Sequence, residues 1–373
     1  MAYIRSMAEV LGKKTMEQCT ALLGRLDTPT DAVEKYCYFL SEALRPLGFQ
    51  LHLERVNWAQ VGWRRSLREL RRMAERRRGD WAFVQYTALA WSSHGFPLRF
   101  HDVLRSLRLG GMRIAVVFHD AEPYSGMRLI DGLRRWSQLV AMRKATLLAD
   151  AVIFTVPQEK ITWAPVVRGR AVFIPVGANL TVPPQQSLPC AANHLLVVGV
   201  FSITGGQAGA VETGLIINAV RFAAKTFGNF ILRVFGRHAE LREKELSEGL
   251  RDSPVEISVE GVLEEKGVVE RLTSCDVLLF VRGPISTRRS SAIAGIACGL
   301  PIIAYCGTET SPPITEAGVV FYDPQNPESL GETLLRVLQD EQFRKRLAEG
   351  SRRAQEQYFS WEAIASRYAE FLK

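Results

Sequence analysis

Cationic and hydroxyl side chains are concentrated in one stretch of the chain, residues 281–307 (VRGPISTRRSSAIAGIACGLPIIAYCG). The pattern predicts a loop, a small-residue helix over 292–298 and a buried strand over 301–304. The N-terminus of such a helix presents unpaired N–H groups and the positive end of the helix dipole. Hydroxyl and guanidinium groups beside it would complete a site for a phosphate or diphosphate, whereas the alternative is a capped helix with a solvated arginine pair. The candidate ligands are Arg282, Ser286, Thr287, Arg288, Arg289 and Ser290.

A second group of candidates follows predicted strands in the first half of the chain. His119 and Asp120 come directly after a predicted strand over 113–118. Ligands bind at the carboxyl ends of strands in parallel sheets. His119 could therefore hydrogen-bond a hydroxyl or phosphate group of a ligand while Asp120 orients it. A strand-end histidine that only caps the next loop is the alternative.

Further candidates follow the first and third predicted strands. Asp31 is a candidate catalytic residue, and Thr30, Tyr86 and Thr87 are candidates for the acceptor side of a site. Each has a structural alternative. Thr30 or Asp31 suits the N-cap of the next helix, and Tyr86 would otherwise be a packed core residue.

The elements that position these residues follow the pattern of two α/β domains. Short apolar segments alternate with helical ones, as expected for parallel sheets covered by helices. A Pro-rich segment separates the halves, which predicts an N-terminal domain at 1–180, a linker at 181–193 and a C-terminal domain at 194–357. The predicted strands are 20–23, 50–55, 81–85, 113–118, 151–155, 171–174, 195–200, 230–235, 255–259, 277–281 and 301–304. The predicted helices include 31–47, 63–78, 100–109, 129–148, 210–227, 239–250, 266–275, 328–339, 341–357 and 361–371.

Composition and charge narrow the class of protein. The 373 residues are enough for two cores, and no apolar segment is long enough to span a membrane. The net charge is +8, and much of the excess lies in the helical segment 63–78. No recognised nucleic-acid module accompanies it, so an anionic membrane surface or anionic lipid-linked acceptor fits better than nucleic acid, with a solvated helix face as the alternative. The arginines concerned are Arg64, Arg65, Arg68, Arg71, Arg72, Arg76, Arg77 and Arg78.

Three segments of the second half carry a resemblance to a known family. They are ACGLPIIAYCG, EAGVVFYDPQNPESLGETLLRVLQD and RKRLAEGSRRAQEQYFSWEAIASRYAEFL. Together they resemble nucleotide-sugar-dependent glycosyltransferases of the GT-B fold, and most of all family 4 (group 1). The resemblance extends over residues 195–373 and is weaker before them. It implies an α/β fold of two Rossmann-like domains whose parallel sheets face a central cleft, with a last helix, 358–373, that crosses back to the first domain.

The resemblance also implies an activity. A family member would move a hexosyl group from a nucleotide-diphosphate sugar, with UDP or GDP as carrier, to a polysaccharide or lipid-linked acceptor with retention of configuration. It implies no cofactor and no bound metal. Cysteines without metal spacing indicate reduced thiols, so we expect a cytoplasmic protein, peripheral to the inner face of the plasma membrane. An inverting relative would need a base, for which Asp31 or Asp120 would be the candidate.

Donor contacts follow from the same resemblance. For the pair Arg288 and Arg289, we expect that alanine at both positions costs donor affinity without unfolding the protein. The resemblance assigns diphosphate contacts to Ser202, Thr204, Gly205 and Arg237, and sugar or nucleotide contacts to Val262, Glu309 and Thr310.

Two departures from the family pattern affect this donor site. Val200 and Gly205 stand where relatives carry an arginine and a lysine, and Ser286 and Ala294 stand where they carry paired glutamates. The arginines of the 281–307 stretch could replace the missing cations, since a guanidinium pairs bidentately with phosphate. The alternative is a glycosyltransferase fold that has lost donor chemistry and acts as a binding or scaffold partner. A GT-B epimerase or phosphorylase is a third hypothesis.

Overall fold

The computed structural model describes residues 16–27, 31–124, 126, 128–163, 170–183 and 195–372. Thr30 and most of the predicted linker lie outside the described residues. The contacts divide the chain into two compact units. The first unit is Met1–Ile174 with Ile364–Lys373, and the second unit is Pro175–Ala363.

The first unit is built on a parallel sheet. Its described strands are β1 (Glu17–Leu23), β2 (Phe49–Arg55), β3 (Trp81–Tyr86), β4 (Arg113–Phe118), β5 (Ala151–Phe154) and β6 (Arg170–Phe173). Their order across the sheet is β2-β1-β3-β4-β5-β6. The chain moves outward from β1 to β2 and then crosses to β3 on the other side, which creates a topological switch point between β1 and β3. Ligands are therefore expected at the carboxyl ends of these two strands.

Helices cover both faces of this sheet. They are α1 (Ala32–Leu44), α2 (Trp58–Val61), α3 (Trp63–Arg76), α4 (Phe100–Gly110) and α5 (Leu129–Leu148). α4 packs against both α3 and α5, and buried residues such as Leu70, Phe100 and Met142 join these helices to one face of the sheet. On the other face the hydroxyls of Tyr36, from α1, and Tyr368, near the end of the chain, are hydrogen-bonded at 2.9 Å.

The second unit repeats this plan. Its described strands are β7 (Val197–Phe201), β8 (Ile231–Phe235), β9 (Glu256–Glu260), β10 (Val277–Leu279), β11 (Ile302–Ala304) and β12 (Val319–Phe321). They are parallel and lie in the order β12-β11-β10-β7-β8-β9, so the switch point falls between β7 and β10. The helices are α6 (Gly206–Phe227), α7 (Glu243–Gly249), α8 (Glu265–Thr273), α9 (Ser290–Ala297), α10 (Ser329–Gln339), α11 (Glu341–Ala354) and α12 (Trp361–Leu372), of which α12 continues into the first unit.

The predicted α/β fold class with parallel sheets is confirmed, and the differences lie in single elements. Strand β12 has only three residues and was not predicted. Helix α6 begins at Gly206, four residues before its predicted start, although glycine weakens a helix. The predicted helix 341–357 passes at Ala354 into a π-helical turn.

Candidate functional site

The predicted polar loop lies at the carboxyl edge of the second sheet. We call residues 280–289 the arginine loop; it joins β10 to α9, which begins at Ser290. Small residues let α9 pack closely on the sheet, since a Cβ at Gly295 would lie 2.6 Å from Leu278 Cδ2. The N-terminus of α9, with its positive dipole end, therefore opens at the sheet edge where parallel sheets bind ligands.

Two guanidinium groups of the arginine loop are largely buried near each other. Burial lowers the pKa of Arg282 and Arg289, and positively charged neighbours lower each of them further. These neighbours are Arg237 for the first, and Arg288 and Arg282 for the second. Within the part of the chain that the structure describes, the buried Nε atoms of Arg282 and Arg289 have no hydrogen-bond partner. Because a buried donor without an acceptor costs about 1–3 kcal/mol, this cluster favours an anion with several acceptor oxygens.

A buried carboxylate from α6 faces the same cluster. Glu212 is 7% exposed, and its Oε2 accepts a hydrogen bond from the backbone N–H of Thr204 at 2.7 Å. Its negative charge acts on Arg282 against the effect of burial on that pKa. Glu212 therefore stabilises the loop after β7 and partly offsets the cost of burying the charge of Arg282. Sequence analysis did not identify this residue.

The sequence did contain a signal for Glu212. It continues, at helical spacing, a stripe of apolar residues formed by Ile216, Ala219 and Ala223, all of which are buried. A charged side chain on such a stripe needs a buried polar partner. Its position eight residues after Thr204 places it beside a candidate phosphate loop.

Arg288 and Glu309 form a bidentate ion pair. Arg288 Nε donates to Glu309 Oε2 at 2.7 Å, and Nη2 donates to Oε1 at 2.9 Å. Burial raises the pKa of Glu309, but the hydrogen bonds and charge of Arg288, with the charge of Arg289, outweigh it and hold the pKa below its usual range. The ion pair engages Nε and Nη2 of Arg288 and both carboxylate oxygens of Glu309. We therefore assign Arg288 a supporting role, in contrast to its predicted partner Arg289.

The predicted hydroxyl ligands serve mainly to fold the loops. Ser286 and Thr287 are buried, and Ser286 Oγ donates to Glu309 Oε2 at 3.3 Å. Thr310 Oγ1 accepts from the Gly307 N–H at 2.9 Å and donates to a carbonyl of the arginine loop. Ser290 differs from Ser286 and Thr287, because it is only half-buried and lies in the first turn of α9.

Two further loops at this edge are joined by hydrogen bonds, and each contains a residue with a strained backbone conformation. Ser202, after β7, has φ +68°, and His238, after β8, has φ +62°. Arg237 N–H donates to Ser202 Oγ at 3.3 Å, and Arg237 O accepts from Ile203 N–H at 3.0 Å. Non-glycine residues in this conformation cost of order 1–3 kcal/mol and are frequent at functional sites. The loops therefore fix Arg237 beside Arg282.

The other predicted donor residues lie around these loops. Gly205 is the N-cap residue of α6, and a Cβ there would lie 3.3 Å from His238 Nε2. Val262 follows β9 and is 50% exposed. A contact of Val262 with a nucleotide stays a prediction.

The first unit has a pocket of about 210 Å³ at its switch point. Its walls come from the segments that follow β1, β2, β3 and β4. Three predicted site residues line it together with Arg55 and Gln85, namely Asp31, Thr87 and Asp120. The mixture of carboxylate, amide, hydroxyl and guanidinium groups suits a ligand rich in hydroxyls.

His119 and Asp120 directly follow β4 as predicted, and both take part in hydrogen bonds near the pocket, which Asp120 lines. His119 Nε2 is hydrogen-bonded to Gln85 Oε1 at 2.8 Å, and its ring forms a T-shaped contact with the Tyr36 ring, with the two centroids 5.1 Å apart. Asp120 Oδ2 accepts from the Ala88 N–H at 2.8 Å. Because Gln85 Nε2 donates to a backbone carbonyl, its Oε1 is the acceptor, and His119 Nε2 carries the proton.

Tyr86 does not reach this pocket. It is fully buried and packs against Phe100 and Phe118 in the core. Successive side chains of a strand point to opposite faces of the sheet. Gln85 and Tyr86 therefore cannot both face one ligand, and the predicted acceptor-side role of Tyr86 is wrong.

Asp31 is the N-cap of α1. Its Oδ1 accepts from the N–H groups of Val33 at 3.1 Å and Glu34 at 3.0 Å, and its Oδ2 pairs with Arg55 at 3.1 Å. Both carboxylate oxygens of Asp31 are thus engaged, one in capping α1 and the other in pairing with Arg55. The structure thus favours the helix cap over the predicted catalytic role.

We expect Asp31→Ala to lower the free energy of unfolding by about 2 kcal/mol, through loss of the cap and of the half-buried ion pair. Asp31→Asn should cost less, because asparagine is an equally good N-cap residue. Urea unfolding of the two variants tests this order. Equal losses in both would show that the cap contributes little.

The basic helix α3 lies on the surface of the first unit. Its buried positions include Leu70 and Met73, whereas seven of its predicted arginines, up to Arg78, are exposed. Arg77 is the exception, since its guanidinium donates to Thr20 Oγ1 at 3.2 Å and lies 3.7 Å from Glu54. We therefore remove Arg77 from the predicted basic surface.

Other features of the molecule add no second candidate centre. A shallow groove of about 560 Å³ is lined by α6, α10 and α11 residues such as Phe222 and Leu335 and by none of the predicted site residues. Among the described residues, no group of three or more His, Cys, Asp or Glu side chains could hold a metal ion. No helix in the same residues is long and apolar enough to cross a bilayer.

Comparison with known proteins identifies the fold through structure alone. No family model matches the chain, and no curated protein matches it. Solved GT-B structures do match it over nearly their whole length. HepE from Anabaena, in complex with UDP and glucose, has a TM-score of 0.62 at 13% identity and covers 95% of this chain and 99% of its own. Sucrose-phosphate synthase from Thermosynechococcus elongatus has a TM-score of 0.66 at 18% identity and covers 95% of this chain and 98% of its own.

A third similar structure belongs to another class of enzyme. A putative UDP-N-acetylglucosamine 2-epimerase from Listeria monocytogenes has a TM-score of 0.64 at 12% identity and covers 96% of both chains. At these identities the likeness establishes the fold and leaves the reaction to be argued from the site.

Proposed function

We propose that this chain is a glycosyltransferase that moves a sugar from a nucleotide-diphosphate sugar to a polysaccharide or lipid-linked acceptor. The observation that carries the proposal is the cluster of Arg237, Arg282 and Arg289 at the N-terminus of α9. It supplies fixed, partly desolvated cations at the switch point of a parallel sheet. This is the chemistry that a diphosphate requires.

The cluster would act on the leaving group. Breaking the bond between the sugar and the diphosphate transfers negative charge to the diphosphate oxygens. Arg282 and Arg289 are already oriented and need little reorganisation to stabilise that charge, which is the main catalytic contribution in such sites. Glu212 and the ion pair of Arg288 with Glu309 would keep the two guanidinium groups in position.

The first unit would bind the acceptor. Its pocket presents Gln85, Thr87 and Asp120 to hydroxyl groups, and His119 is held by Gln85 at the same strand ends. We infer that His119 positions a sugar by hydrogen bonding and that the transfer retains configuration, as the family resemblance implies. Because the oxygens of Asp31 cap α1 and pair with Arg55, we propose that an inverting transfer would rely on Asp120.

The donor remains to be named by experiment, and UDP-sugars are the first choice because HepE was solved with UDP and with UDP-glucose. A panel of UDP- and GDP-sugars should be tested for release of the nucleoside diphosphate, with melting temperatures recorded in parallel. We expect one sugar to stand out and to raise the melting temperature by mass action. Neither release nor a melting shift with any nucleotide would favour the alternative, a scaffold that no longer binds donors.

A further inference from the structure

Helix α5 exposes an apolar stripe to solvent. Leu129 is 97% exposed, Leu133 61%, Trp136 62% and Leu147 54%. Their spacing of 4, 3 and 11 residues places them on one side of the helix. We call this set, with the neighbouring Ile130, the α5 ridge. The opposite side of α5 is buried against α4 and the sheet, so the ridge is an additional apolar surface and not part of the core.

Positive charge surrounds the α5 ridge. Arg135, Arg143 and Lys144 are exposed on α5 itself, and Arg128 is exposed at its N-cap. α4 lies between α5 and α3, and α3 exposes its row of arginines on the same side of the sheet. The layer thus combines bulky apolar side chains with a broad excess of arginine.

We propose that the α5 ridge, with the arginines around it, docks this chain on an anionic lipid bilayer. Helices that lie in the membrane interface combine leucine and tryptophan on one side with lysine and arginine beside them. The lipid headgroups would neutralise the arginines while the ridge enters the boundary of the acyl region. A second copy of this chain is a poorer occupant, because it would bring two arginine-rich surfaces together and leave their charges unneutralised.

The ridge begins at the same edge of the first sheet as the pocket of that unit. α5 follows β4 through the segment that begins with His119 and Asp120, so its first turns start at the carboxyl edge of the sheet. Leu129, Leu133 and Trp136 belong to these first turns and extend along about 10 Å of helix. Docking through them would bring the pocket edge to the bilayer surface. If the proposed function holds, the acceptor is then a sugar carried by a membrane lipid, whereas the docking itself does not depend on that function.

Sedimentation with lipid vesicles tests the docking in the absence of any substrate. The full chain is mixed with phosphatidylcholine vesicles, with or without phosphatidylglycerol. We expect binding only when phosphatidylglycerol is present, and weaker binding at high salt. The double variant Leu133→Ser/Trp136→Ser should bind these vesicles at least about tenfold more weakly, because both side chains lose their apolar burial in the interface. Arg68→Gln/Arg72→Gln should lose about fivefold per arginine.

The matched control is Leu241→Ser, which removes a leucine that is 70% exposed in the second unit. It should bind vesicles as well as the unchanged chain, and all variants should keep its melting temperature because the replaced side chains are exposed. The proposal fails if the unchanged chain does not bind anionic vesicles, or if the ridge variant binds them equally well. Self-association that depends on the ridge, without vesicle binding, would instead identify a second copy as the occupant. A ridge variant that loses vesicle binding but still hydrolyses the donor would show that docking and the proposed function can be tested separately.

Discussion

Replacing both Arg282 and Arg289 with glutamine is expected to weaken binding of a nucleoside diphosphate by about 100-fold or more. Each guanidinium would donate charge-assisted hydrogen bonds to the diphosphate, and each such bond contributes about 1.5–3 kcal/mol. The measurement is titration calorimetry with the diphosphate of the donor that the sugar panel identifies.

The same double variant should be at least as stable as the unchanged chain. Burial lowers the pKa of both arginines, and the charge of Arg237 on Arg282, like the charges of Arg288 and Arg282 on Arg289, lowers it further, so the fold bears a cost to keep them charged. Arg251→Gln is the matched control, because Arg251 is an exposed arginine of the same unit. If the unchanged chain binds the diphosphate of an identified donor and the double variant binds it equally well, the diphosphate site lies elsewhere.

Arg288→Ala is expected to lower the free energy of unfolding by about 3 kcal/mol, the lower end of the range for breaking a buried ion pair. The side chains of Arg288 and Glu309 are only 21% and 12% exposed, so removing the arginine leaves a poorly solvated carboxylate. The expectation from sequence was that alanine at Arg288 and Arg289 reduces donor affinity without unfolding. Because Arg288 belongs to the ion pair, we expect its replacement to lower stability, whereas the replacement of Arg289 lowers donor affinity.

A double-mutant cycle over Arg288→Ala and Glu309→Ala checks the pair through chemical unfolding. We expect the double variant to be more stable than the sum of the single losses predicts, since neither charge is then left alone. Additive losses would show that the two side chains do not interact.

The pH dependence of the pair has a defined sign. The folded pKa of Glu309 lies below its ordinary value of 4.5. Its stabilising contribution is therefore complete above pH 4.5 and is lost as the pH falls from there through the folded pKa. The stability difference between the unchanged chain and Glu309→Gln should shrink over that acid range and stay constant at higher pH.

Much of the candidate site could be read from local sequence. The order of polar loop, small-residue helix and apolar strand at residues 281–307 is local, and it correctly predicted a helix N-terminus at a strand edge. The position of His119 and Asp120 after β4 was predicted for the same reason. The acceptor-side role predicted for Tyr86 was wrong because strand alternation determines which of two neighbouring residues faces the core. Local sequence does not show which face of the strand is covered.

The sequence by itself determined the alternating elements and the two parallel sheets, because these follow from the periodicity of nearby residues. It also showed directly that several arginines lie in one loop. Only the tertiary structure decided what each arginine does. Arg289 meets Arg282 among buried neighbours, whereas Arg288 is taken by Glu309, 21 residues later in the chain. Arg237 and Glu212 join from other strands and helices. Such pairings follow from strand order, which brings distant segments to one sheet edge, and burial then decides which charges are paired and which stay available to a ligand.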